Sequence, residues 1–365
     1  MTAISDVLKQ HKENGTYRFL KKAESPIDFS SNDYLGLARS EPIRARLIRD
    51  LTNGCPLGAT GSRLLSGQSE YHEQVEAFLA ETFRVESALI FSSGYLANLG
   101  VLCAFGSLGT HFFCDELNHA SLIDGARLTR ANKTVFRHND LADLEKQLHS
   151  TAAHTKVIVS ESVFSMDGGF APLEEIRELA SRFDAWVVID EAHATGAFGD
   201  RSLGLLDHRD WSQLISIHTG GKSLGGQGAF VLSDKTFREL MINRSRSFIY
   251  NTALSPLHTL QIQYAIETIL EQPELAQTLR RNSQHCRNLL ASLTESTSQI
   301  LAVHIGSNEK AIHVASELQN RGFDVRAIRS PTVPVGTERL RITMKSFHDE
   351  KTIEDFCHTL RNVLV

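Results

Sequence analysis

The feature of this chain that most constrains its fold is a regular alternation of short apolar runs with helical segments. The apolar runs lie between residues 87 and 233, and they read SALIFS, THFFCD, TVFRH, KVIVSES, AWVVID, QLISIH and GAFVLS. Segments with apolar residues at helical spacing separate several of them, including SLIDGARLTRA, DLADLEKQLH and PLEEIRELASRF. Strands that alternate with helices are typical of a mostly parallel sheet with helices on both faces. The sequence therefore predicts an α/β fold.

We expect three parts along the chain. Residues 1–35 contain a short polar helix that breaks at ENGT, followed by a turn-rich crossing segment. Residues 36–270 form the large α/β domain, which ends in the long helix LHTLQIQYAIETILEQ. Residues 271–365 form a smaller α+β domain, in which helices separate the weaker strands ILAVHIG, DVRAIR and RLRITM.

Composition argues against several classes of partner. Apolar residues make up 41% of the chain and charged residues 22%, and the net charge of −5 gives no reason to expect nucleic acid or an anionic membrane. The five cysteines form no CxxC pair, which favours reduced thiols over a disulfide framework or a zinc site, so we expect no metal. The N-terminus shows no signal peptide, and no apolar run reaches transmembrane length. We expect a cytoplasmic protein.

The stretch SIHTGGKSLGGQG, residues 216–228, suggests a phosphate-binding loop, and VVIDEAHATG upstream suggests a helicase box. A P-loop requires Gly-x-x-x-x-Gly-Lys-Ser/Thr, so that backbone amides wrap the phosphates. Counting back from Gly221 and Lys222, the first glycine of that motif would fall on Ser216. The acidic box also precedes the lysine, which reverses the order found in P-loop helicases. A P-loop ATPase or helicase is therefore disfavoured.

A cofactor with an aldehyde group accounts for the same residues better. Lys222, in a glycine-rich loop after a strand, has room to form a Schiff base with pyridoxal phosphate. Asp190, at the end of strand AWVVID, can keep a pyridine nitrogen protonated, and His119 can stack on the ring. Gly94 begins a helix whose amides suit a phosphate. Each residue alone has an ordinary turn, cap or hydrogen-bonding role, but all four at strand ends indicate a cofactor site.

Motifs along nearly the whole chain also carry a resemblance to a known family. They are DFSSNDYLGLA, GATGSRLLSGQSEYHEQVEAFLA, DELNHASLIDGARL, ESVFSMDGGFAPLEEI, IDEAHATGAFG, HTGGKSLGGQGAFVL, IYNTALSPL and AIRSPTVPVGTERLRITM. By these motifs the chain resembles the α-oxoamine synthases, which are fold-type I pyridoxal-phosphate enzymes and homodimers. The last motif, residues 327–344, is associated with the branch that uses a pimeloyl donor.

The resemblance implies a role for each matching residue around the cofactor. Lys222 would bind pyridoxal phosphate covalently and later move the substrate's Cα proton, and Asp190 would pair with the ring nitrogen. The other residues implied to contact the cofactor are His119 on the ring face, His193 and Ser165 at the phenolic oxygen, and Gly94, Tyr95 and Thr219 at the phosphate. Thr252, with Asn251, is implied to reach the phosphate of the neighbouring subunit.

The resemblance also implies residues that bind the substrates. Arg341 would clamp the amino acid's carboxylate, since a bidentate clamp suits arginine better than lysine. Asn32, Thr343 and His119 would lie beside the amino acid, and Arg18 would meet the acyl chain.

This chain departs from the family pattern in two places. The stretch between Arg18 and Asp28 is shorter than in many relatives, and Gly220 stands where an aromatic residue is frequent. We expect the glycine to loosen the packing beside Lys222.

The implied reaction is an acyl transfer of biotin biosynthesis. It condenses L-alanine with a pimeloyl thioester, carried by coenzyme A or by acyl carrier protein, with loss of carbon dioxide. The motifs other than residues 327–344 are shared with glycine C-acetyltransferase, 5-aminolevulinate synthase and serine palmitoyltransferase. Glycine C-acetyltransferase, or another α-oxoamine synthase, therefore remains the alternative.

Overall fold

The chain forms two compact units. A computed structural model describes residues 3–20, 26–106, 108–207 and 211–364. The larger unit consists of Asp33–Ser165 and Phe170–Ala276. The smaller unit consists of Met1–Asn32, Met166–Gly169 and Gln277–Val365. The division predicted from the sequence is different: its limits lie at residues 35/36 and 270/271, and residues 1–35 form a separate part.

The strands and helices alternate through most of the chain. The strands are β1 (Ile27–Asp28), β2 (Ser87–Phe91), β3 (Thr110–Asp115), β4 (Asn132–Phe136), β5 (Thr155–Glu161), β6 (Ala185–Asp190), β7 (Leu214–Thr219), β8 (Ala229–Ser233), β9 (Ile300–His304), β10 (Phe323–Asp324), β11 (Arg326–Ile328) and β12 (Arg339–Thr343). The helices are α1 (Ala3–Glu13), α2 (Glu41–Thr52), α3 (Glu70–Phe83), α4 (Gly94–Phe105), α5 (Ala120–Leu128), α6 (Leu141–Ser150), α7 (Leu173–Arg182), α8 (Lys235–Arg244), α9 (Arg246–Ile249), α10 (Pro256–Glu271), α11 (Glu274–Leu289), α12 (Asn308–Asn320) and α13 (Glu350–Leu364).

The larger unit contains one seven-stranded sheet in the order β2-β8-β7-β6-β5-β3-β4. The five strands from β7 to β4 run parallel to one another, whereas β8 is antiparallel to both of its neighbours. The predicted mostly parallel α/β sheet is therefore confirmed. All five residues of β2 and of β8 are buried, as expected for strands whose two faces are both covered.

The smaller unit has its own sheet, in which β12 lies between β11 and β9 and is antiparallel to both. A separate parallel pairing of β1 with β10 places Ile27 opposite Phe323. Phe29, which follows β1, is fully buried and stacks on Phe356 of α13 at a centroid distance of 4.1 Å. This pairing and packing join residues 26–32 to the C-terminal part of the chain.

Helix α2 was missed by the sequence analysis although its start carries a signal. Ser40 is the N-cap, its hydroxyl accepts from the amide of Ile43, and Pro42 occupies the first turn. Ser69 stands at the N-cap position of α3, but its hydroxyl bonds the Nδ1 of His72 and caps no backbone amide. Within the ranges that the structure describes, no helix is both long and apolar enough to cross a membrane.

Candidate active site

The predicted cofactor residues of the larger unit gather at the carboxyl ends of neighbouring strands. Asp190 is the last residue of β6 and Thr219 the last residue of β7, and β6 pairs directly with β7. His193 follows β6 and Lys222 follows β7. In open α/β sheets the carboxyl edge is where ligands bind, because loops leave the strands there.

Lys222, His193 and Tyr34 form a continuous hydrogen-bonded chain. The Nζ of Lys222 lies 2.7 Å from the Nε2 of His193, and the Nδ1 of His193 lies 2.7 Å from the hydroxyl of Tyr34. Tyr34 is completely buried, and so is nearly all of His193. Since a hydroxyl both donates and accepts, Tyr34 can serve either tautomer of the imidazole. Sequence reasoning missed Tyr34, although it lies within the motif DFSSNDYLGLA.

Asp190 is held by two donors. Its Oδ2 accepts from the Nδ2 of Asn98 at 2.7 Å, and its Oδ1 accepts from the amide of Ala192 at 2.9 Å. The same Nδ2 of Asn98 also donates to the hydroxyl of Ser121 at 2.8 Å. Asn98 was not predicted, and its one signal is that it is a polar residue inside the apolar helix GYLANLGVLCAF. The carboxylate of Asp190 is thus fixed in one orientation by the protein.

His119 is an exposed residue whose imidazole ring is held in place by hydrogen bonds. It is the N-cap of α5, its Nδ1 lies 2.7 Å from the hydroxyl of Ser121, and its amide donates to Glu161 Oε1 at 2.6 Å. Partial removal of the ring from water lowers the pKa of His119; the charge of Asp190 opposes this shift, and that of Lys222 adds to it. The lowered pKa favours a neutral ring at neutral pH, and the influence of both charges indicates that Asp190 and Lys222 lie near His119.

The start of α4 offers a place for an anion. Ser93 is the N-cap and accepts from the amide of Leu96, while the amides of Gly94 and Tyr95 lie in the first turn, where a helix has no internal acceptors. A Cβ on Gly94 would lie 3.2 Å from the hydroxyl oxygen of Thr219, so this helix start and that hydroxyl adjoin. The hydroxyl of Tyr95 hydrogen-bonds Asp124.

Gly220 is tightly packed, so the expectation of loose packing beside Lys222 is wrong. The Gly220 amide donates to the carbonyl of Gly228 at 2.8 Å, and its own carbonyl accepts from the amide of Gly226 at 2.8 Å. A Cβ at position 220 would lie 2.5 Å from the carbonyl oxygen of Gln227. An aromatic residue could enter here only if the backbone at Gln227 moved, because backbone atoms and not a flexible side chain fill the space.

Two further predicted cofactor residues lie in loops of the larger unit. Ser165 is buried in the loop that follows β5. Thr252 follows α9 and pairs with Ser62 in an isolated antiparallel bridge. The side chain of the adjacent Asn251 donates to the hydroxyl of Ser92 at 2.6 Å, which ties this loop to the segment that leads into α4.

Of the residues predicted to bind the amino acid, Arg341, Asn32 and Thr343 lie together in the smaller unit, whereas His119 belongs to the larger unit. Arg341, in β12, donates from Nη2 to the Oδ1 of Asn32 at 3.0 Å and is 8% exposed. The hydroxyl of Thr343 donates to the carbonyl of Ser31 at 2.8 Å. Asn32 therefore accepts from one end of the Arg341 guanidinium, and the neighbouring Ser31 holds Thr343.

Arg18 lies in a pocket of about 410 Å³ within the smaller unit. Its Nη2 donates to the hydroxyl of Thr332 at 3.0 Å. Arg326 and Arg329 line the same pocket together with the apolar Phe19 and Ile328. The shortened stretch that follows Arg18 contains residues 21–25, which lie outside the described residues.

The larger unit's residues fit pyridoxal phosphate on their geometry alone. The carboxylate that Asn98 fixes matches the cofactor's ring nitrogen. The lysine amine, 2.7 Å from an imidazole nitrogen, matches its aldehyde. The helix start beside a hydroxyl matches its phosphate. Each of these three groups of the cofactor therefore has a residue of matching chemistry in the larger unit.

Comparison with known proteins identifies the class. The family described as aminotransferase class I and II matches residues 24–360. The chain therefore belongs to the aminotransferase class I and II family. Serine palmitoyltransferase from S. paucimobilis, in a structure with a bound PLP–myriocin aldimine, superposes with a TM-score of 0.89 at 27% identity, over 99% of this chain and 96% of that one.

Curated relatives narrow the assignment. The 8-amino-7-oxononanoate synthase of Nitrosospira multiformis is 38% identical, over 99% of this chain and 95% of that protein. The 8-amino-7-oxononanoate synthase of Lysinibacillus sphaericus is 40% identical, over 88% of this chain and 84% of that protein. Within its class, the chain belongs to the family of the 8-amino-7-oxononanoate synthases.

The carboxylate of Asp190 is predicted to be essential for turnover but not for cofactor binding. Asp190→Asn keeps the shape and removes the charge, so turnover should fall at least about a hundredfold, which corresponds to about 2.7 kcal/mol of activation free energy. Steady-state kinetics measure the fall in turnover, and the cofactor absorbance measures whether the cofactor still binds. Asp184→Asn, an exposed change just before the same strand, is the control and should be neutral. Near-normal turnover of Asp190→Asn would contradict the role given to this carboxylate.

Proposed function

We propose that this chain condenses L-alanine with a pimeloyl thioester and releases carbon dioxide, which is the reaction of an 8-amino-7-oxononanoate synthase. The observation that carries the proposal is the contact between Lys222 and His193 at the carboxyl edge of the sheet, one strand away from the fixed carboxylate of Asp190. The near full-length identity to curated synthases selects this reaction among those that such a site can perform.

The larger unit is proposed to hold the cofactor and move the proton. When bound, pyridoxal phosphate supplies the electron sink for negative charge that develops at the substrate's Cα. Lys222 would hold the cofactor's aldehyde carbon through its Nζ, and once the amino group of alanine has replaced that nitrogen, the freed amine would accept the Cα proton. Asp190 keeps the ring nitrogen protonated, and Asn98 fixes the orientation of the Asp190 carboxylate. His193 and Ser165 hydrogen-bond the phenolic oxygen, and His119 covers the ring face.

The phosphate is proposed to bind at the start of α4. The amides of Gly94 and Tyr95 and the hydroxyl of Thr219 would donate to its oxygens, because these donors adjoin one another at a positive helix end.

The smaller unit is proposed to bind the substrates. Arg341 clamps the carboxylate of alanine, with Asn32 and Thr343 beside it, because a guanidinium matches a carboxylate in a bidentate geometry. Arg18 meets the far end of the acyl chain, which in a pimeloyl group carries a second carboxylate or its ester. Arg329 in the same pocket adds positive charge that suits such a group, whereas the guanidinium of Arg326 is paired with Asp324.

We also propose that the protein acts as a homodimer that shares its active sites. The support is the loop at Asn251 and Thr252, which the family resemblance assigns to the neighbour's phosphate. This loop carries the exposed Tyr250, and the segment bridged to it carries the exposed Leu64 and Leu65. Apolar side chains exposed on adjoining loops suit burial against a second copy.

The substrate pair is predicted to be L-alanine with a pimeloyl thioester. It should give a kcat/KM at least about tenfold above that of glycine with acetyl-coenzyme A, since each buried methylene contributes about 0.8 kcal/mol. Assays of both amino acids against both acyl groups, each acyl group on coenzyme A and on acyl carrier protein, measure this. Arg18→Ala should raise the KM of the pimeloyl donor more than that of alanine. A preference for glycine with acetyl-coenzyme A would instead support glycine C-acetyltransferase.

The shared active site predicts complementation between two defective subunits. Mixing Lys222→Ala protein with Thr252→Ala protein should restore one site per heterodimer, because that site takes Lys222 from one subunit and Thr252 from the other. Turnover before and after subunit exchange, with exchange followed by two affinity tags, measures the effect. If Thr252→Ala is impaired alone and verified exchange restores no activity, Thr252 does not serve the neighbour's site.

A further inference from the structure

Lys345 is a lysine with no exposed surface, and it lies close to the residues proposed to bind the amino acid. It follows β12 by two residues and stands four residues after Arg341. Burying an ammonium group is costly unless the protein supplies hydrogen bonds and an opposite charge, so a lysine in this position calls for a specific set of partners.

The partners of the ammonium group are oxygens on two segments. Its Nζ donates to the carbonyl of Ser31, to the hydroxyl of Thr343 at 2.6 Å and to the carbonyl of Thr343 at 3.5 Å. The Thr343 hydroxyl in turn donates to the same Ser31 carbonyl. Lys345, Thr343 and Ser31 thus form a closed triangle that fastens residues 28–32 to the end of β12.

The opposite charge comes from Asp28. Its carboxylate accepts from the amides of Ser30 and Ser31, both at 2.8 Å, and from the hydroxyl of Ser31. Burial alone would raise the pKa of Asp28, but the charge of Lys345 and these hydrogen bonds hold it below its usual value. His348 adds no charge, because burial and the nearby Lys345 lower its pKa to about 4. The Asp28 carboxylate therefore shapes the turn whose last carbonyl Lys345 binds.

The fastened segment ends at the residue that holds Arg341. Asn32 directly follows Ser31, and its Oδ1 accepts from the Nη2 of Arg341. Fixing the Ser31 carbonyl fixes the peptide from which Asn32 projects, and so fixes the acceptor that orients the guanidinium. We propose that Lys345 is a positioning residue for the carboxylate clamp, acting through Ser31 and Asn32 on Arg341. This inference rests on the function proposed for Arg341.

The test compares ligands with and without a carboxylate. The holoenzyme is titrated with L-alanine and with L-alaninamide, and binding is followed by the change in cofactor absorbance. Lys345→Met keeps an unbranched side chain without the charge. It should weaken alanine binding about tenfold, or about 1.4 kcal/mol, because Asn32 no longer holds the guanidinium of Arg341 in the orientation that fits a carboxylate. Binding of alaninamide, which has no carboxylate for Arg341, should change by less than about twofold.

Two further variants separate positioning from general damage. Lys310→Met removes an exposed lysine from the same unit and should change neither titration. Asp28→Ala removes the carboxylate that shapes the turn ending at Ser31 and leaves Lys345 and the alanine-binding residues unchanged, so it should show the same selective loss for alanine even if Lys345→Met folds poorly. Equal losses for both ligands in both variants, or no loss in either, would overturn the inference.

A double-mutant cycle tests the route through Asn32. If Lys345 acts through Asn32, adding Lys345→Met to Asn32→Ala should weaken alanine binding no further than Asn32→Ala does alone. If the fold losses in alanine binding of the two single variants multiply in the double variant, Lys345 and Asn32 act independently, and the proposed route is overturned. The titrations contain no thioester, so their results do not depend on which acyl donor the enzyme uses. An error in the proposed donor would show only in the turnover of the wild-type protein. Wild-type protein that binds alanine and alaninamide equally well would overturn both the role of Arg341 and that of Lys345.

Discussion

The burial of the inner parallel strands (β3, β5, β6 and β7) on both faces is the constraint on which the larger unit depends. Strands such as β5 and β6 have no face on which to carry polar side chains exposed to water, so their polar groups appear where the strands end. Glu161, Asp190 and Thr219 are the last residues of three adjacent strands. The packing of the sheet therefore concentrates the groups that can do chemistry at one edge.

Buried polar groups are costly unless they are hydrogen-bonded, and the hydrogen bonds made at this edge give the site its geometry. Asp190 is oriented by Asn98 and the amide of Ala192, and His193 lies between Tyr34 and Lys222. An unpaired buried polar group costs about 1–3 kcal/mol, so each of these contacts stabilises the fold as well as orienting a functional group. The smaller unit follows the same rule, since Lys345 is buried with oxygens around its ammonium group.

Local patterns were sufficient to predict the central sheet and the residues at its carboxyl edge. Apolar runs marked the strands, and Lys222, Asp190, His119 and Gly94 each stand next to one of them, so their common location follows from the topology. Tyr34, Asn98 and Lys345 could not be found this way, because their importance depends on contacts with residues far away in the chain. The pairing of β1 with β10 was not predicted for the same reason, because a two-residue strand is too short for its sequence pattern to indicate a distant partner.

The covalent role of Lys222 is tested most directly by reduction of the purified protein. Treatment with borohydride followed by peptide mass spectrometry should find a pyridoxyl group on the peptide that contains Lys222, with loss of the cofactor's visible absorbance. The Lys222→Ala protein, reduced in parallel, should carry no such label. A label on a different lysine, or a protein that retains no pyridoxal phosphate, would contradict the assignment of this lysine.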